Sequence, residues 1–256
     1  MGEAMLAAIL AKALARPASI SVSDVSQPRL DYLKRRYAVA VTSANPEAAA
    51  GKDIVILAVK PQNLPEVMAG LKGKLKSSQL VLSIIAGARI KTISQGLKHD
   101  AIVRAMPNTP AQVGEGMTVW TATPAVNKEP KQVVKAILGA MGRELYVDDE
   151  DYLDMATAVS GSGPAYFFLM VEALVEAAIE IGLPPDMAQE LVLQTMLGSG
   201  KYIRQSGEPP AELRKRVTSP GGTTAAALAQ FEEGAFGEMV RRAVRAAYKR
   251  AKELGK

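Results

Sequence analysis

Asp53-Ile54-Val55-Ile56-Leu57-Ala58-Val59-Lys60-Pro61-Gln62 is the stretch on which the fold class turns. Residues 54–59 form an unbroken apolar run of the kind found in a strand covered on both faces, and Lys60-Pro61 closes it as a turn. Upstream, residues 4–14 carry helical periodicity, 19–23 read as a short strand, 30–36 as a helix, 39–41 as a strand and 48–50 as part of a short helix. Downstream, 64–71 read as a helix, 80–85 as a strand, 90–97 as a helix and 102–105 as a strand. Residues 117–121 and 144–147 then read as two strands flanking a helix over 131–141. Alternation of this kind predicts an α/β, doubly wound, Rossmann-like domain over residues 1–148.

The acidic run Asp148-Asp149-Glu150-Asp151 marks a change of texture, since no strand pattern follows it. Residues 149–256 are therefore expected to form an all-α domain. Its first long helix, over 164–181, carries Phe167, Met170, Val171, Leu174 and Ala178 on one stripe and Phe168 and Leu169 on another. So much apolar surface in so small a domain predicts a subunit interface and an obligate dimer; the alternative is the centre of a monomeric bundle. Gly182-Leu183-Pro184 ends that helix, and further helices are read over 187–202, 209–216, 225–232 and 236–254.

The chain has no cysteine and one histidine, His99. That argues against a disulfide framework, a thiolate or histidine metal site and a Ser-His hydrolase, and it fits a reducing cytoplasm. Glu172, Glu176 and Glu180 interrupt the most apolar helix, so no uncharged run reaches membrane-spanning length. The formal charge is +5, and the terminal cations Arg241, Arg242, Arg245, Lys249 and Arg250 spread around a helix. They read as a solvated face, and neither a nucleic-acid nor a membrane partner is expected.

One polar stretch stands apart, Val217-Thr218-Ser219-Pro220-Gly221-Gly222-Thr223-Thr224. Pro220 fixes its own φ, the glycines allow positive φ, and a helix follows at once. Free N–H groups at such a helix start, with the hydroxyls of Ser219, Thr223 and Thr224, suit a small carboxylate or phosphate; an ordinary helix cap would look the same.

Pro210, Leu213, Val217 to Ser219, Gly221, Gly222, Thr224, Ala227, Leu228, Phe231 and Glu232 stand in a spacing that resembles the signature of pyrroline-5-carboxylate reductases. The resemblance continues through Ala58-Val59-Lys60-Pro61-Gln62, Met106-Pro107-Asn108-Thr109-Pro110 and Ser160-Gly161-Ser162-Gly163-Pro164-Ala165. It implies reduction of 1-pyrroline-5-carboxylate to L-proline, the last step of proline biosynthesis, by a cytoplasmic homodimer or an assembly of dimers. By resemblance, Ala58, Val59, Lys60, Pro61, Asn108 and Thr109 contact the nicotinamide cofactor, and Asn45 the adenine-side ribose. The same resemblance gives the substrate carboxylate to Ser219 and the N–H groups of Gly221, Gly222 and Thr223. Thr224 is implied to bond the ring nitrogen.

Met1-Gly2-Glu3-Ala4 looks like the tail of the family's glycine turn, with Gly2 matching its last glycine. A preceding strand and earlier glycines are expected upstream, and their absence predicts weak cofactor binding. Asp24 lies where an acidic ribose ligand falls and would favour NADH, whereas Ser23, Ser26 and Arg29 could surround a 2′-phosphate. Family habit favours NADPH with NADH accepted. The rival readings are another imine or hydroxy-acid reductase of this build, and a dimeric remnant without catalysis.

Overall fold

The computed structural model describes residues 1–255. By its contacts the chain divides into two compact units, residues 1–162 with 247 onwards, and residues 163–246.

In the first unit, α1 (Gly2–Ala11) leads through a 3₁₀ turn to β1 (Ser21–Ser23), α2 (Gln27–Tyr37), β2 (Ala40–Thr42) and α3 (Asn45–Ala49). Then follow β3 (Ile54–Leu57), α4 (Leu64–Leu71), β4 (Leu80–Ser83), α5 (Ile90–Leu97) and β5 (Ile102–Met106). β6 (Gly116–Ala122), α6 (Lys128–Gly139), β7 (Gly142–Tyr146) and α7 (Asp151–Ala156) complete it. The strands form two sheets, parallel β1-β2 and a five-stranded sheet in the order β3-β4-β5-β6-β7. All pairs of the larger sheet are parallel except β5 with β6.

Helices cover both faces of this sheet, as the alternating pattern requires. Met5 and Ile9 of α1 and Val134, Ile137 and Leu138 of α6 pack with Leu82, Val103 and Trp120 on one side. Leu64, Met68 and Leu71 of α4 and Ile93 and Leu97 of α5 pack with Val81 and Ile102 on the other. A smaller cluster of Leu6, Leu33 and Val39 joins α1 to α2.

The expectation that residues 54–59 are buried on both faces needs correction. Ile54, Val55 and Ile56 are only half-buried, and Leu57 alone is buried. The reason is topological, since β3 has β4 as its one strand neighbour among the described residues. β4, with a strand neighbour on each side, is by contrast buried at every position.

The acidic run is held within the first unit, because α7 is tied down by a charged network. Arg104 of β5 donates to Glu150 Oε1 at 2.8 Å and to Asp154 Oδ1 at 2.9 Å. Arg89, ahead of α5, donates to Asp151 Oδ1 at 2.7 Å and Asp154 Oδ2 at 2.9 Å. Its bond to Asp151 pushes the Arg89 guanidinium above its ordinary pKa. After α7 comes a π-helical turn over Thr157–Gly161, closed by Ser162 N–H donating to the Thr157 carbonyl at 2.8 Å.

The second unit holds α8 (Gly163–Glu180), α9 (Pro185–Ser206), α10 (Pro210–Arg216), α11 (Thr223–Glu233) and the larger part of α12 (Phe236–Leu254). α8 packs on α9, yet only Gly163, Pro164, Ala188 and Leu213 of this unit are buried. Phe167, Phe168 and Leu169 remain 64%, 63% and 65% exposed. A helical unit with so little interior leaves apolar faces that need cover. The continuous helix Asp151–Glu180 is also, by length and composition, long and apolar enough to cross a membrane, despite its glutamates.

Candidate functional site

The start of α1 organises the first unit's candidate site. A Cβ on Gly2 would stand 3.1 Å from the Cβ of Ala58, so the helix begins pressed against the residue that follows β3. The same helix packs on the 3₁₀ turn Thr109–Val113. Its first backbone bond runs from Met5 N–H to the Met1 carbonyl at 3.0 Å, which leaves the N–H groups of Gly2, Glu3 and Ala4 as the positive end of the helix. Gly2 and Ala58 are thus brought together, the turn that Thr109 opens packs on the same helix, and Val59, Lys60 and Pro61 continue directly from Ala58.

Glu3 fixes this helix to α2. It accepts from Tyr37 Oη at 2.8 Å and Tyr32 Oη at 3.1 Å, and it pairs with Arg29. Burial acts to raise the Glu3 carboxyl, but the bonds from Tyr37, Arg29 and Tyr32 outweigh it and hold the group below its ordinary pKa. Burial and the bond to Glu3 push Tyr37 up. The link therefore stabilises the fold at neutral pH and is lost in two places. It fails in acid as pH falls through the depressed Glu3 titration, and in alkali as pH rises through that of Tyr37.

At the end of β1, Asp24 Oδ1 accepts from Ser26 N–H at 2.9 Å. The Ser23 hydroxyl donates to Asn45 Oδ1 at 2.6 Å, so those two groups satisfy each other. Of Ser23, Ser26 and Arg29, the groups that could surround a 2′-phosphate, Ser23 is engaged by Asn45 and Arg29 by Glu3.

Beyond β5, the Asn108 amide is also taken. Nδ2 donates to the Ser160 carbonyl at 3.0 Å, and Oδ1 accepts from Met117 N–H at 2.9 Å. Asn108 thereby ties the start of β6 to the π turn, and Gly161 lies against Met106, where a Cβ would come within 2.8 Å of its Cε. Two motifs of the resemblance, 106–110 and 160–165, meet here. Turns of π type concentrate at functional sites.

In the second unit, Ser219–Gly222 forms a turn closed by Gly222 N–H donating to the Ser219 carbonyl at 3.0 Å. Pro220 at the second position and Gly221, with φ +70°, at the third give a type II turn. Gly222 caps α11 with extended backbone, and a Cβ there would collide with Ser219 Oγ. The Gly222 N–H, expected to help hold an anion, is engaged in that bond. Among the described residues, the N–H groups of Gly221, Thr223 and Thr224 and the hydroxyls of Ser219, Thr223 and Thr224 have no acceptor or donor partner. Several donors thus converge at the start of an eleven-residue helix.

His99 takes no part. It is buried, with Nε2 2.6 Å from the Gln79 carbonyl, and serves the core. No group of three metal-ligating side chains exists among the described residues.

A pyrroline-5-carboxylate reductase from Synechocystis is 45% identical over 256 residues, spanning 100% of this chain and 95% of that protein. The chain belongs to the pyrroline-5-carboxylate reductase family. Residues 150–254 match the family model for pyrroline-5-carboxylate reductase dimerisation, and residues 1–87 match one described as NADP oxidoreductase, coenzyme F420-dependent. The solved structure of a pyrroline-5-carboxylate reductase from Coxiella burnetii is similar with a TM-score of 0.91 and 38% identity, covering 100% of this chain and 95% of that one. A Plasmodium falciparum pyrroline carboxylate reductase, solved with NADP bound, gives 0.91 and 33% over the same shares. Set against the reductase family's motifs, this geometry adds Glu3 and the Arg104–Asp154 pair, which the sequence reading did not single out.

Proposed function

We propose that this chain reduces 1-pyrroline-5-carboxylate to L-proline with NADPH, accepting NADH, as a cytoplasmic homodimer. The carrying observation is the type II turn ahead of α11, whose free N–H and hydroxyl groups match a small carboxylate beside a ring nitrogen. Gly221 and Thr223 N–H, with the Ser219 hydroxyl, hold the carboxylate, and the Thr224 hydroxyl orients the ring nitrogen. A protonated imine carbon is already electrophilic, so the reaction needs no histidine acid.

The first unit's residues fit a dinucleotide. The unpaired N–H groups opening α1 suit a pyrophosphate, Gly2 lets that helix start close to Ala58, and Asp24 presents a carboxylate oxygen to a ribose. Ala58 to Pro61 and Thr109 line the nicotinamide side, while Asn108 acts by positioning the backbone around it. When bound, the nicotinamide supplies the hydride. Loss of reduced-nicotinamide absorbance on adding 1-pyrroline-5-carboxylate, with proline as product, tests this reading, and no turnover with either cofactor sinks it.

Asp24→Ala should raise the ratio of kcat/KM for NADPH over NADH by about tenfold, since it removes a negative charge beside the 2′ position. An unchanged ratio would show that Asp24 faces elsewhere.

A second copy of the chain, rather than a bilayer, is proposed to cover the apolar faces of α8. Phe168→Glu should convert dimer to monomer and lower the melting temperature, because burying one such side chain is worth about 1.5–3 kcal/mol and a charge in its place must be desolvated. Light scattering that still finds a full-strength dimer would place the interface elsewhere.

A further inference from the structure

The cofactor reading leaves one group unexplained, the carboxylate of Glu3. It stands in the first turn of α1, the helix proposed to hold the pyrophosphate, where a carboxylate would work against an anion were its charge not matched from α2. Its partners lie on α2, which begins directly after the Asp24–Ser26 turn. Chief among them is Arg29, paired to Glu3 through Nη2, with its guanidinium 5.2 Å from the centre of the Tyr32 ring. The Arg29 side chain is 42% exposed, so a ligand at the end of β1 can reach it, but its charge is already matched.

We infer that Glu3 sets the margin between NADPH and NADH by holding Arg29 back from a 2′-phosphate, a positioning role that rests on the proposed dinucleotide site. Two charges of opposite sign act on the 2′ position. Asp24 repels a phosphate there, and Arg29 is the cation on the adjoining first turn of α2 that could offset it. Paired to Glu3, Arg29 offers the phosphate a neutralised ion pair. Released, it offers a full charge and a planar fork of donors suited to phosphate oxygens. Of the neutral groups at this end, Ser23 and Asn45 are bonded to each other, and the Ser26 hydroxyl brings no charge to offset Asp24.

Glu3→Gln separates this from a purely structural role. It keeps the size of the side chain and an acceptor for Tyr37, and removes only the charge. Isothermal titration of the full chain with adenosine 2′,5′-bisphosphate and with adenosine 5′-monophosphate reads the 2′-phosphate alone, without turnover. Glu3→Gln should tighten the bisphosphate by about five- to tenfold while leaving the monophosphate within about twofold. Arg29→Met alone should change the bisphosphate by less than about twofold, and in the Glu3→Gln background it should erase the gain. Equal shifts for both ligands in Glu3→Gln would mean that the residue only braces α1 against α2, and would overturn the inference. Tenfold weaker bisphosphate binding by Arg29→Met alone would do the same, since Arg29 would then already be engaged. If NADH and both nucleotides fail to bind the unaltered chain, the dinucleotide site itself falls and this inference with it.

Discussion

Asp154→Ala should lower the free energy of unfolding by about 3–5 kcal/mol, the usual consequence of leaving one member of a buried ion pair alone. Arg104 and Asp154 each expose only 2% of their side chains, and Arg104 sits within β5 between fully buried Val103 and nearly buried Ala105. Removing Asp154 leaves Arg104 with the half-buried Glu150 as its single anion, and Arg89 with the more exposed Asp151. The damage should be local before it is global. Leu153, fully buried beside Asp154, anchors α7, and the π turn that follows is braced by Thr157 Oγ1 donating to the Leu153 carbonyl at 2.7 Å. Amide exchange should therefore quicken first at residues 151–162. Arg104→Met combined with Asp154→Leu should recover much of the loss, because it removes both of the fully buried charges and leaves only the more exposed Glu150 and Arg89 with fewer partners. Chemical denaturation measures both, and a single-mutant loss under about 1 kcal/mol would show that the pair contributes little beyond what apolar packing could.

That pair also shows where sequence reading stops. The apolar texture of residues 102–105 identified β5 correctly, although Arg104 stands in the middle of it. A guanidinium in a buried strand must have an anion, and the acidic run 148–151 was visible, although Asp154 lies beyond it. Their pairing across some fifty positions was not, because it depends on α7 folding back on β5. The helices Ile90–Leu97 and Phe236–Leu254 were legible to their ends, since periodicity and flanking residues agreed. The π turn was not, because an extra residue in a helix of small side chains leaves no mark on periodicity.

The same contrast runs through the site. Pro220-Gly221 announces a type II turn, because only glycine takes the required positive φ without strain after that proline. The motif did not reveal that the turn itself uses the Gly222 N–H, nor that Asn108 bonds backbone with both ends of its amide. Each is a matter of who bonds to whom, settled by backbone geometry a few residues away. The apolar excess of residues 164–181 was legible as an interface, because a stripe on two sides of one helix exceeds what a small unit can bury. The exposure of Phe167 and Phe168 agrees with that reading.

Thr224→Ala should reduce kcat/KM for 1-pyrroline-5-carboxylate by about ten- to a hundredfold, as expected when one hydrogen bond to a charged group worth about 1.5–3 kcal/mol is lost. Thr224 is the second residue of α11 and half-buried, and its hydroxyl has no partner among the described residues. It does not cap the helix, since the cap residue is Gly222 and no side chain bonds the free N–H groups. The substitution should thus leave the melting temperature within a degree or so, while an N-cap deletion would cost about 1 kcal/mol. The carboxylate donors on Gly221, Thr223 and Ser219 are untouched, so the loss should fall mainly on kcat, where orientation of the ring nitrogen matters. Ser219→Ala should do the reverse and mainly raise KM, because the carboxylate is held alike in ground and transition states. NADPH affinity should not move in either variant. The pair of kinetic signatures is the decisive measurement. A Thr224→Ala protein that keeps full turnover but melts earlier would make this residue a helix-stabilising one and remove it from the reaction.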